Sequence, residues 1–283
     1  MKHNQRIACI LAATFFIIVY LILRKCIHTS HDEYPLKSTI YPPANQTLHQ
    51  EIHQQSLKEM IIQSPSFSFP FQLLILSPSI AHNLTERTEV RRVWANPTKS
   101  TAIKNRSVRL IFCIGTLPQN NKDNITQHDL QIESEKHNDL LQVGIEESYM
   151  NLVHKLSISF LWATSSEGPK VKYILKSDTD VIVHVDRLMQ HIPLLEKEKT
   201  MDVLWCAVLD YVQVARDQRS KWFVSESSFN RSMYPPYCSG PSYMGRRETF
   251  QKIVQGSGKR MVINPEDAFF TGIVAEEVGV ERR

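Results

Sequence analysis

Two carboxylates one residue apart, Asp178 and Asp180, are the side chains of this sequence best suited to holding a metal ion. The apolar run 173–175 precedes them and the β-branched run 181–183 follows, which predicts a buried strand ending at the two acids. Residues two apart in an extended segment point to the same side, so both carboxylates would face one ligand. Hard oxygen ligands of this kind suit Mg²⁺ or Mn²⁺. The alternative is a solvated turn in which each Asp caps its own backbone.

Strand-like and helix-like segments alternate along residues 69–283, which predicts an α/β body around a central mixed sheet. Besides the segment before Asp178, strands are predicted at 71–76, 107–114 and 203–214. Helices are predicted at 85–94, at 129–162 with a division at Gly144, at 185–195, at 250–254 and at 265–278. Pro and Gly predict a loop at 234–240. In open α/β sheets, ligands bind beyond the carboxyl ends of strands, and the two acids are predicted to lie there.

The N-terminal segment determines the expected topology. Residues 7–23 form an apolar run without a charge, with basic residues on both sides. The run has the length of a short membrane-spanning helix. It is long for the apolar region of a cleaved signal peptide, which is the competing interpretation. We therefore expect a cytoplasmic tail at 1–6, a transmembrane signal-anchor at 7–23, a polar, proline-containing stem at 24–68 and a lumenal domain at 69–283.

Sequons and charge agree with a lumenal body. Five Asn-x-Ser/Thr sequons lie after the apolar run, and each predicts a glycosylation site. Their asparagines are Asn45, Asn83, Asn105, Asn124 and Asn230. The net charge is +4 and no basic block follows the first segment, so nucleic acid is not an expected partner.

The body contains three cysteines, Cys113, Cys206 and Cys238, which allow one disulfide bridge and leave one thiol. The sequence does not choose the pair, and buried unpaired cysteines are the alternative. Cys26, just outside the apolar run, is placed to cross-link two chains beside the membrane. The sequence thus leaves room for a homodimer.

Five short blocks appear in an order and spacing that are specific to one family. They are 87–94, 139–155, 176–183, 221–222 with 234–243, and 266–267 with Gly272. Through these blocks the chain resembles the β-1,3-galactosyltransferases and β-1,3-N-acetylglucosaminyltransferases of glycosyltransferase family 31. The resemblance implies a GT-A-type nucleotide-sugar-binding fold in a single-pass type II protein of the Golgi membrane. It also implies metal-dependent, inverting transfer of galactose or N-acetylglucosamine from a UDP-sugar to a sugar acceptor in β-1,3 linkage.

Two departures from this family pattern bear most on the expected function. Thr179 stands where the family usually has a third acid between Asp178 and Asp180. The family also continues well beyond the block at 266–267, so we expect a C-terminally truncated catalytic domain or a short form. Both departures keep open a catalytically weak or inactive lectin-like or chaperone-type relative with the same fold. A glycosidase on an unrelated fold would need two carboxylates flanking the scissile bond and no nucleotide.

The resemblance implies roles for two acidic pairs. Asp178 and Asp180 would hold Mn²⁺ or Mg²⁺ at the diphosphate of the UDP-sugar donor. Asp267 would be the base that takes the proton of the acceptor hydroxyl, with Glu266 as the fallback. The alternative for the second pair is a helix N-cap and a first-turn acid.

Four residues are predicted to contact the donor. Arg87 and Arg91 are four apart on one helical face and suit phosphate or uridine contacts. Their alternative is a solvated face paired with neighbouring glutamates. Lys176 shares the side of Asp178 and would contact a phosphate. Trp94 would stack on a sugar ring, with burial in the core as the alternative.

Two aromatic residues, Trp222 and Tyr243, are predicted to stack on the acceptor sugar. The acceptor would be a glycan on a glycoprotein or a glycolipid. Burial in the core is the alternative for both rings. The sequence leaves open whether the donor carries galactose or N-acetylglucosamine.

Overall fold

The strand predicted before Asp178 forms as Val171–Ser177, here β5, and lies beside Phe71–Pro78, here β2, near the centre of a sheet. Successive residues of β2 face two different cores, because Leu74 packs in one and Leu73 in the other. Parallel strands that are covered on both faces have nearly continuous apolar sequences rather than alternating ones. This explains the apolar runs from which both strands are predicted.

The computed structural model of the protein describes residues 40–117, 124–196 and 202–283. Its strands are β1 (Ile61–Gln63), β2, β3 (Val108–Thr116), β4 (Leu140–Glu146), β5, β6 (Val203–Leu209), β7 (Tyr237–Arg246) and β8 (Glu281–Arg282). Its helices are α1 (Gln46–Gln54), α2 (Leu57–Met60), α3 (Leu84–Val93), α4 (Thr101–Lys104), α5 (Gln127–His137), α6 (Leu152–Thr164), α7 (Val185–Glu196), α8 (Arg247–Ser257), a π-helix (Ala268–Val274) and α9 (Ala275–Glu277). The predicted tail and signal-anchor, with Cys26, lie outside these ranges. Within the ranges, no helix has both the length and the hydropathy needed to cross a bilayer.

The strands form one mixed sheet in the order β1-β4-β3-β2-β5-β7-β6-β8. Neighbours from β4 to β5 run parallel, whereas β7 is antiparallel to both β5 and β6. Parallel neighbours need long crossover connections, and the helices of the chain supply them. The predicted α/β class with a central mixed sheet is confirmed.

Helices cover the sheet on both faces. On one face, the ring of Phe160 in α6 lies 5.1 Å from that of Phe250 in α8 and 5.3 Å from that of Phe270 in the π-helix, measured between centroids. On the other face, α3 and α7 bury Val90 and Ile192. Edge-to-face aromatic pairs add to the stabilisation that apolar burial provides. The π-helix is thereby fixed directly after the predicted acidic pair.

Helix α1 lies within the segment predicted as stem and packs against the rest of the compact unit, and the predicted boundary at residue 69 stays a prediction. The compact unit begins at Pro42. Gln46 of α1 donates to the carbonyl of Val262 at 2.7 Å and accepts from the N–H of Val262 at 2.8 Å. The side chain of Asn264 donates to the carbonyl of Pro42 at 3.0 Å. Because α1 is short and mostly polar, its sequence lacks an apolar period and resembles a linker.

Two local predictions are wrong. The region 129–162, predicted as helical, contains α5, strand β4 and α6, because residues 140–142 pair with β3. The region 234–240, predicted as a loop, includes the first residues of β7, which pair with β6. In both regions, pairing with a distant strand overrides the local pattern.

The cysteine pairing that the sequence leaves open joins Cys206 to Cys238. The bridge ties β6 to β7, with the two Cα atoms 5.5 Å apart. Cys113 is the cysteine without a bridge among the described residues. Burial raises the pKa of the Cys113 thiol to about 11, so this thiol is uncharged at neutral pH.

Candidate active site

The turn that carries Asp178 and Asp180 follows the carboxyl end of β5, as predicted. Strand β5 is paired with β7 up to Ser177. One residue further, the backbone N–H of Asp178 donates to the carbonyl of Pro241 at 3.0 Å. This bond fixes the first acid to β7, while Asp180 is exposed.

A buried ammonium group lies behind this turn. Lys176 is 1% exposed, and its Nζ donates to Oδ1 of Asp178 at 2.6 Å and to the carbonyl of Gly240 at 2.7 Å. The same Nζ forms an ion pair with Oε1 of Glu266 at 2.9 Å. The hydroxyl of Tyr243 donates to Oε2 of Glu266, also at 2.9 Å. Removing a charge from water is costly unless it is paired and hydrogen-bonded, and this network provides both.

Burial and pairing act in opposite directions on the charges of this network. Burial raises the pKa of Asp178 and of Glu266, and the ammonium of Lys176 acts against that effect. Burial acts to lower the pKa of Lys176, but the charges of Glu266 and Asp178 outweigh it, and the pKa is raised. Burial also raises the pKa of Tyr243, whose hydroxyl therefore remains a donor. Lys176 is accordingly charged at neutral pH.

Asp267 differs from its neighbour Glu266 in access. Both oxygens of Glu266 are engaged, by Lys176 and Tyr243, and the residue is 5% exposed. Asp267 is only partly buried; its Oδ1 accepts from the N–H of Ala268 at 2.8 Å, and the backbone N–H of Gly240 also donates to this carboxylate. Burial raises the pKa of Asp267, which makes this carboxylate a stronger base. Asp267 therefore caps the π-helix and is the more exposed residue of the pair.

Two exposed aromatic residues lie near Asp267, and we call them the aromatic rim. Trp222 is 54% exposed and Tyr149 is 41% exposed. The ammonium of Lys221 lies 4.8 Å from the ring centroid of Trp222 and 5.6 Å from that of Tyr149, so the two rings are close together. Burial, followed by the charges of Asp267 and Glu266, raises the pKa of Tyr149. The rim offers apolar ring faces beside a carboxylate.

Sequence reasoning selects Trp222 for the acceptor but not Tyr149. Tyr149 lies shortly beyond the carboxyl end of the parallel strand β4, as Asp178 lies beyond the carboxyl end of the parallel strand β5. That signal is lost when β4 is interpreted as helix. Tyr243, the other predicted acceptor residue, is buried, and its hydroxyl is bonded to Glu266. Acceptor binding by Tyr243 stays a prediction.

The predicted donor residues Arg87 and Arg91 lie in α3 within a network of ion pairs. Arg87 donates to the two oxygens of Glu133 at 2.9 and 2.6 Å. Arg91 donates to Glu133 at 2.7 Å and to the two oxygens of Asp139 at 2.7 and 2.8 Å. Two-pronged arginine–carboxylate pairs are strong and geometrically specific. Donor binding by either arginine stays a prediction; Arg87 would have to exchange these partners, whereas Nη1 of Arg91 is buried without a hydrogen-bond partner among the described residues.

The other two predicted donor residues are also enclosed by the protein. Trp94 is buried against the core on the α3 side of the sheet. Lys176 directs its ammonium to Asp178, Glu266 and the backbone of β7. For both residues a direct contact with the donor stays a prediction.

The turn after β5 fits a divalent cation that arrives with a diphosphate. Among the described residues, no cluster of three or more His, Cys, Asp or Glu side chains is able to hold a metal ion. Mg²⁺ is usually bound by one or two carboxylates together with substrate phosphates, rather than by an all-protein cage. Lys176 engages Oδ1 of Asp178, which leaves Oδ2 as a ligand, and Asp180 is exposed. Two acids in this arrangement suit a metal–diphosphate complex.

The asparagines of the five sequons all reach the surface. Asn83 is partly exposed, and the exposed ones are Asn45, Asn105, Asn124 and Asn230. Asn45 and Asn83 cap α1 and α3 through Oδ1, which accepts a backbone N–H in each case. A glycan is attached to Nδ2, so these caps are compatible with modification. Glycosylation of all five stays a prediction.

A family model described as galactosyltransferase matches residues 85–283. The chain belongs to this family. The match includes the turn at Asp178, the pair of Glu266 and Asp267, and the aromatic rim. The resemblance inferred from the five sequence blocks is confirmed.

Some similar proteins are named as galactosyltransferases and others as N-acetylglucosaminyltransferases. Beta-1,3-galactosyltransferase bre-2 of Caenorhabditis elegans is 29% identical over 226 residues, 77% of this chain and 61% of the relative. Human lactosylceramide 1,3-N-acetyl-beta-D-glucosaminyltransferase is 26% identical over 208 residues, 74% of this chain and 54% of the relative. Mouse beta-1,3-galactosyltransferase 5 is 28% identical over 200 residues, 71% of this chain and 61% of the relative. The chain thus spans 54% to 61% of the length of these relatives.

Among solved structures, the apo form of mouse xyloside xylosyltransferase 1 is 10% identical to this chain, with a TM-score of 0.35. The likeness covers 76% of this chain and 84% of that one. At this level it carries no argument about the fold or the function.

Proposed function

We propose that this galactosyltransferase-family protein transfers galactose or N-acetylglucosamine from a UDP-sugar to a glycan, in β-1,3 linkage and with inversion. The family match and the names of the relatives support a glycosyltransferase. One observation carries the proposal furthest. The charges of Asp267 and Glu266 act on Tyr149 of the exposed aromatic rim, and Glu266 belongs to the charge network that holds Asp178.

On the donor side, Asp178 and Asp180 would hold Mn²⁺ or Mg²⁺ together with the diphosphate of the donor, in a GT-A-type arrangement. When bound, the cation neutralises the negative charge that develops on the leaving UDP. The bond from Asp178 to the backbone of Pro241 keeps the first acid in place before the donor arrives. Such preorganisation avoids the cost of ordering the ligand during the reaction.

On the acceptor side, Asp267 would take the proton of the attacking hydroxyl. Burial raises its pKa, and a base is most effective when its pKa is near the working pH. Glu266 is a poor alternative because Lys176 and Tyr243 engage both of its oxygens. Trp222 and Tyr149 would stack on the acceptor sugar ring, since aromatic faces pack on apolar ring surfaces.

Transfer is tested with the full chain expressed in animal cells. The purified protein is incubated with UDP-galactose, UDP-N-acetylglucosamine or UDP-glucose and with a glycan or lactosylceramide acceptor, and released UDP and product linkage are measured. We expect Mn²⁺-dependent β-1,3 transfer from one donor. Asp180→Ala should abolish metal-dependent UDP-sugar binding, whereas Glu135→Ala, at an exposed acid of α5, should not. Saturable donor binding without transfer to any acceptor would favour an inactive relative instead.

We also propose that the protein is a glycosylated, single-pass type II protein of the Golgi membrane. The support is the apolar run at 7–23 and the five sequons. In animal cells the protein should co-localise with a Golgi marker, stay with membranes and lose mass on removal of N-glycans. A soluble product that keeps its mass would refute the proposal.

A further inference from the structure

Lys176 has no hydrogen left for a ligand. A lysine ammonium has three donor hydrogens, and three acceptors surround it in the described residues: Oδ1 of Asp178, Oε1 of Glu266 and the carbonyl of Gly240. With 1% of the residue exposed, the side chain is closed off from solvent and from substrates. A direct contact with the donor phosphate would break one of three short, charge-assisted bonds.

These three acceptors come from parts of the chain that are distant in sequence. Asp178 lies in the turn after β5, Gly240 lies in β7, and Glu266 directly precedes Asp267. The ammonium also lies 5.7 Å from the ring centroid of Tyr243, whose hydroxyl holds the second oxygen of Glu266. One buried cation therefore links the acid proposed to bind the metal to the segment that carries the proposed base.

We propose that Lys176 is a positioning residue that couples Asp178 to Asp267 through Glu266, and that it does not bind the donor. This inference rests on the proposed function, because it assigns its two ends to the donor side and the acceptor side of one reaction. When one partner of a buried charge network is removed, the remaining charges lose their pairing, and the groups that hold them rearrange together. Removal of the ammonium therefore loosens the turn and the segment before the π-helix together.

The test compares Lys176→Met with Lys172→Met in the full glycosylated chain. Lys172 is on the same strand, but its side chain is half-exposed and pairs with Glu196 at the surface. Amide hydrogen exchange is followed in residues 178–181 and 266–272. We expect Lys176→Met to accelerate exchange in both segments and Lys172→Met in neither. Faster exchange in one segment alone would overturn the coupling, and this result does not depend on whether the protein transfers sugar.

Kinetics separate positioning from donor binding. In Lys176→Met we expect kcat to fall by about 10- to 100-fold, the scale of a misplaced catalytic group, with the affinity for UDP measured without a divalent cation changed less than about threefold. A large loss of UDP affinity with kcat retained would instead make Lys176 a donor ligand. A wild-type protein that transfers no sugar contradicts the proposed function. In that case hydrogen exchange still tests whether Lys176 couples the turn at Asp178 to the segment at Asp267.

A second variant keeps the test decisive if Lys176→Met does not fold. The double variant Lys176→Met/Glu266→Gln removes one positive and one negative charge, so the interior carries no added net charge. The amide oxygen of the new glutamine would still accept from the hydroxyl of Tyr243. We expect this variant to recover the thermal stability lost in Lys176→Met but not its kcat. Recovery of both would show that Lys176 has a structural role only.

Discussion

A side-chain carbon at Gly240 would lie 2.9 Å from Oδ2 of Asp267, closer than real contacts of such a carbon. The carbonyl of Gly240 also accepts from Lys176 at 2.7 Å, so the backbone cannot move away freely. We therefore predict that Gly240→Ala displaces Asp267 and lowers kcat by about 10- to 100-fold, as expected if the proposed base is misplaced. Steady-state kinetics and UDP binding would show the loss in kcat with donor affinity retained.

Gly144→Ala is the matched control for this substitution. Gly144 is an exposed residue of β4, and a carbon added there would come no closer than 3.6 Å to the carbonyl of Met60. Its kcat should equal that of the wild type. Equal losses in the two variants would show that the close approach to Asp267 is not the cause.

Asp267→Asn and Glu266→Gln should have different effects. Asp267→Asn keeps the shape but removes the proposed base, so transfer should fall by about 10²-fold or more, with UDP binding and thermal stability nearly unchanged. Glu266→Gln leaves the ammonium of Lys176 with one carboxylate fewer, and it should lower the free energy of unfolding by about 2–3 kcal/mol. Single-turnover kinetics and urea unfolding measure the two effects separately. A fully active Asp267→Asn would move the base to another group.

The turn after β5 is the part of the site that the sequence predicts best. Its signal is local, because an apolar run of strand length ends in two acids, and the structure places the turn at the predicted strand end. The same locality explains the correct prediction of β2 and α3. Strand β2 buries the apolar residues that its own pattern marks, and α3 buries Val90 in the same way, whereas the burial of Arg87 depends on its distant partner Glu133.

The network behind the turn is not predictable from local pattern. Lys176 and Glu266 are far apart in sequence, and nothing in either segment indicates that they pair. The Pro and Gly residues at the start of β7 predict a loop, yet pairing with β6 and the bridge at Cys238 fix this segment as a strand. The distinction between an engaged Glu266 and a more exposed Asp267 depends on those same long-range contacts.

The bridge between Cys206 and Cys238 should contribute measurably to stability. The two cysteines are separated by 32 residues, and closing a loop of that size stabilises a protein by about 3–4 kcal/mol in the chain-entropy account. We predict that Cys206→Ala/Cys238→Ala lowers the free energy of unfolding by this order. Reductant should destabilise the wild type but have no further effect on the double variant. A wild type that is insensitive to reductant at its unfolding midpoint would contradict the prediction.

Three histidines where α1 meets α6 and α8 should make stability depend on pH. Nε2 of His49 is 2.9 Å from the carbonyl of Ser257, and Nε2 of His154 is 3.0 Å from that of Asn45, so both nitrogens donate. Their Nδ1 atoms are buried without a hydrogen-bond partner among the described residues. Burial lowers the pKa of His49, and it lowers those of His53 and His154 to about 4, with the charge of His49 adding to the effect on both.

The sign of the pH effect follows from the histidine pKa in the two states. Below about pH 6.5 the unfolded chain binds protons at these histidines, whereas the folded protein does not until its own lower pKa values are reached. The free energy of unfolding should therefore fall as pH decreases from 7.5 to 5, by on the order of 1–2 kcal/mol for His154. Urea unfolding at several pH values measures this slope.

His154→Gln tests the assignment, because it keeps a side-chain donor for the carbonyl of Asn45 but does not titrate. The pH slope of this variant between 7.5 and 5 should be smaller than that of the wild type. His191→Gln, at an exposed histidine of α7, is the control and should leave the slope unchanged. If both variants keep the wild-type slope, the acid sensitivity arises elsewhere.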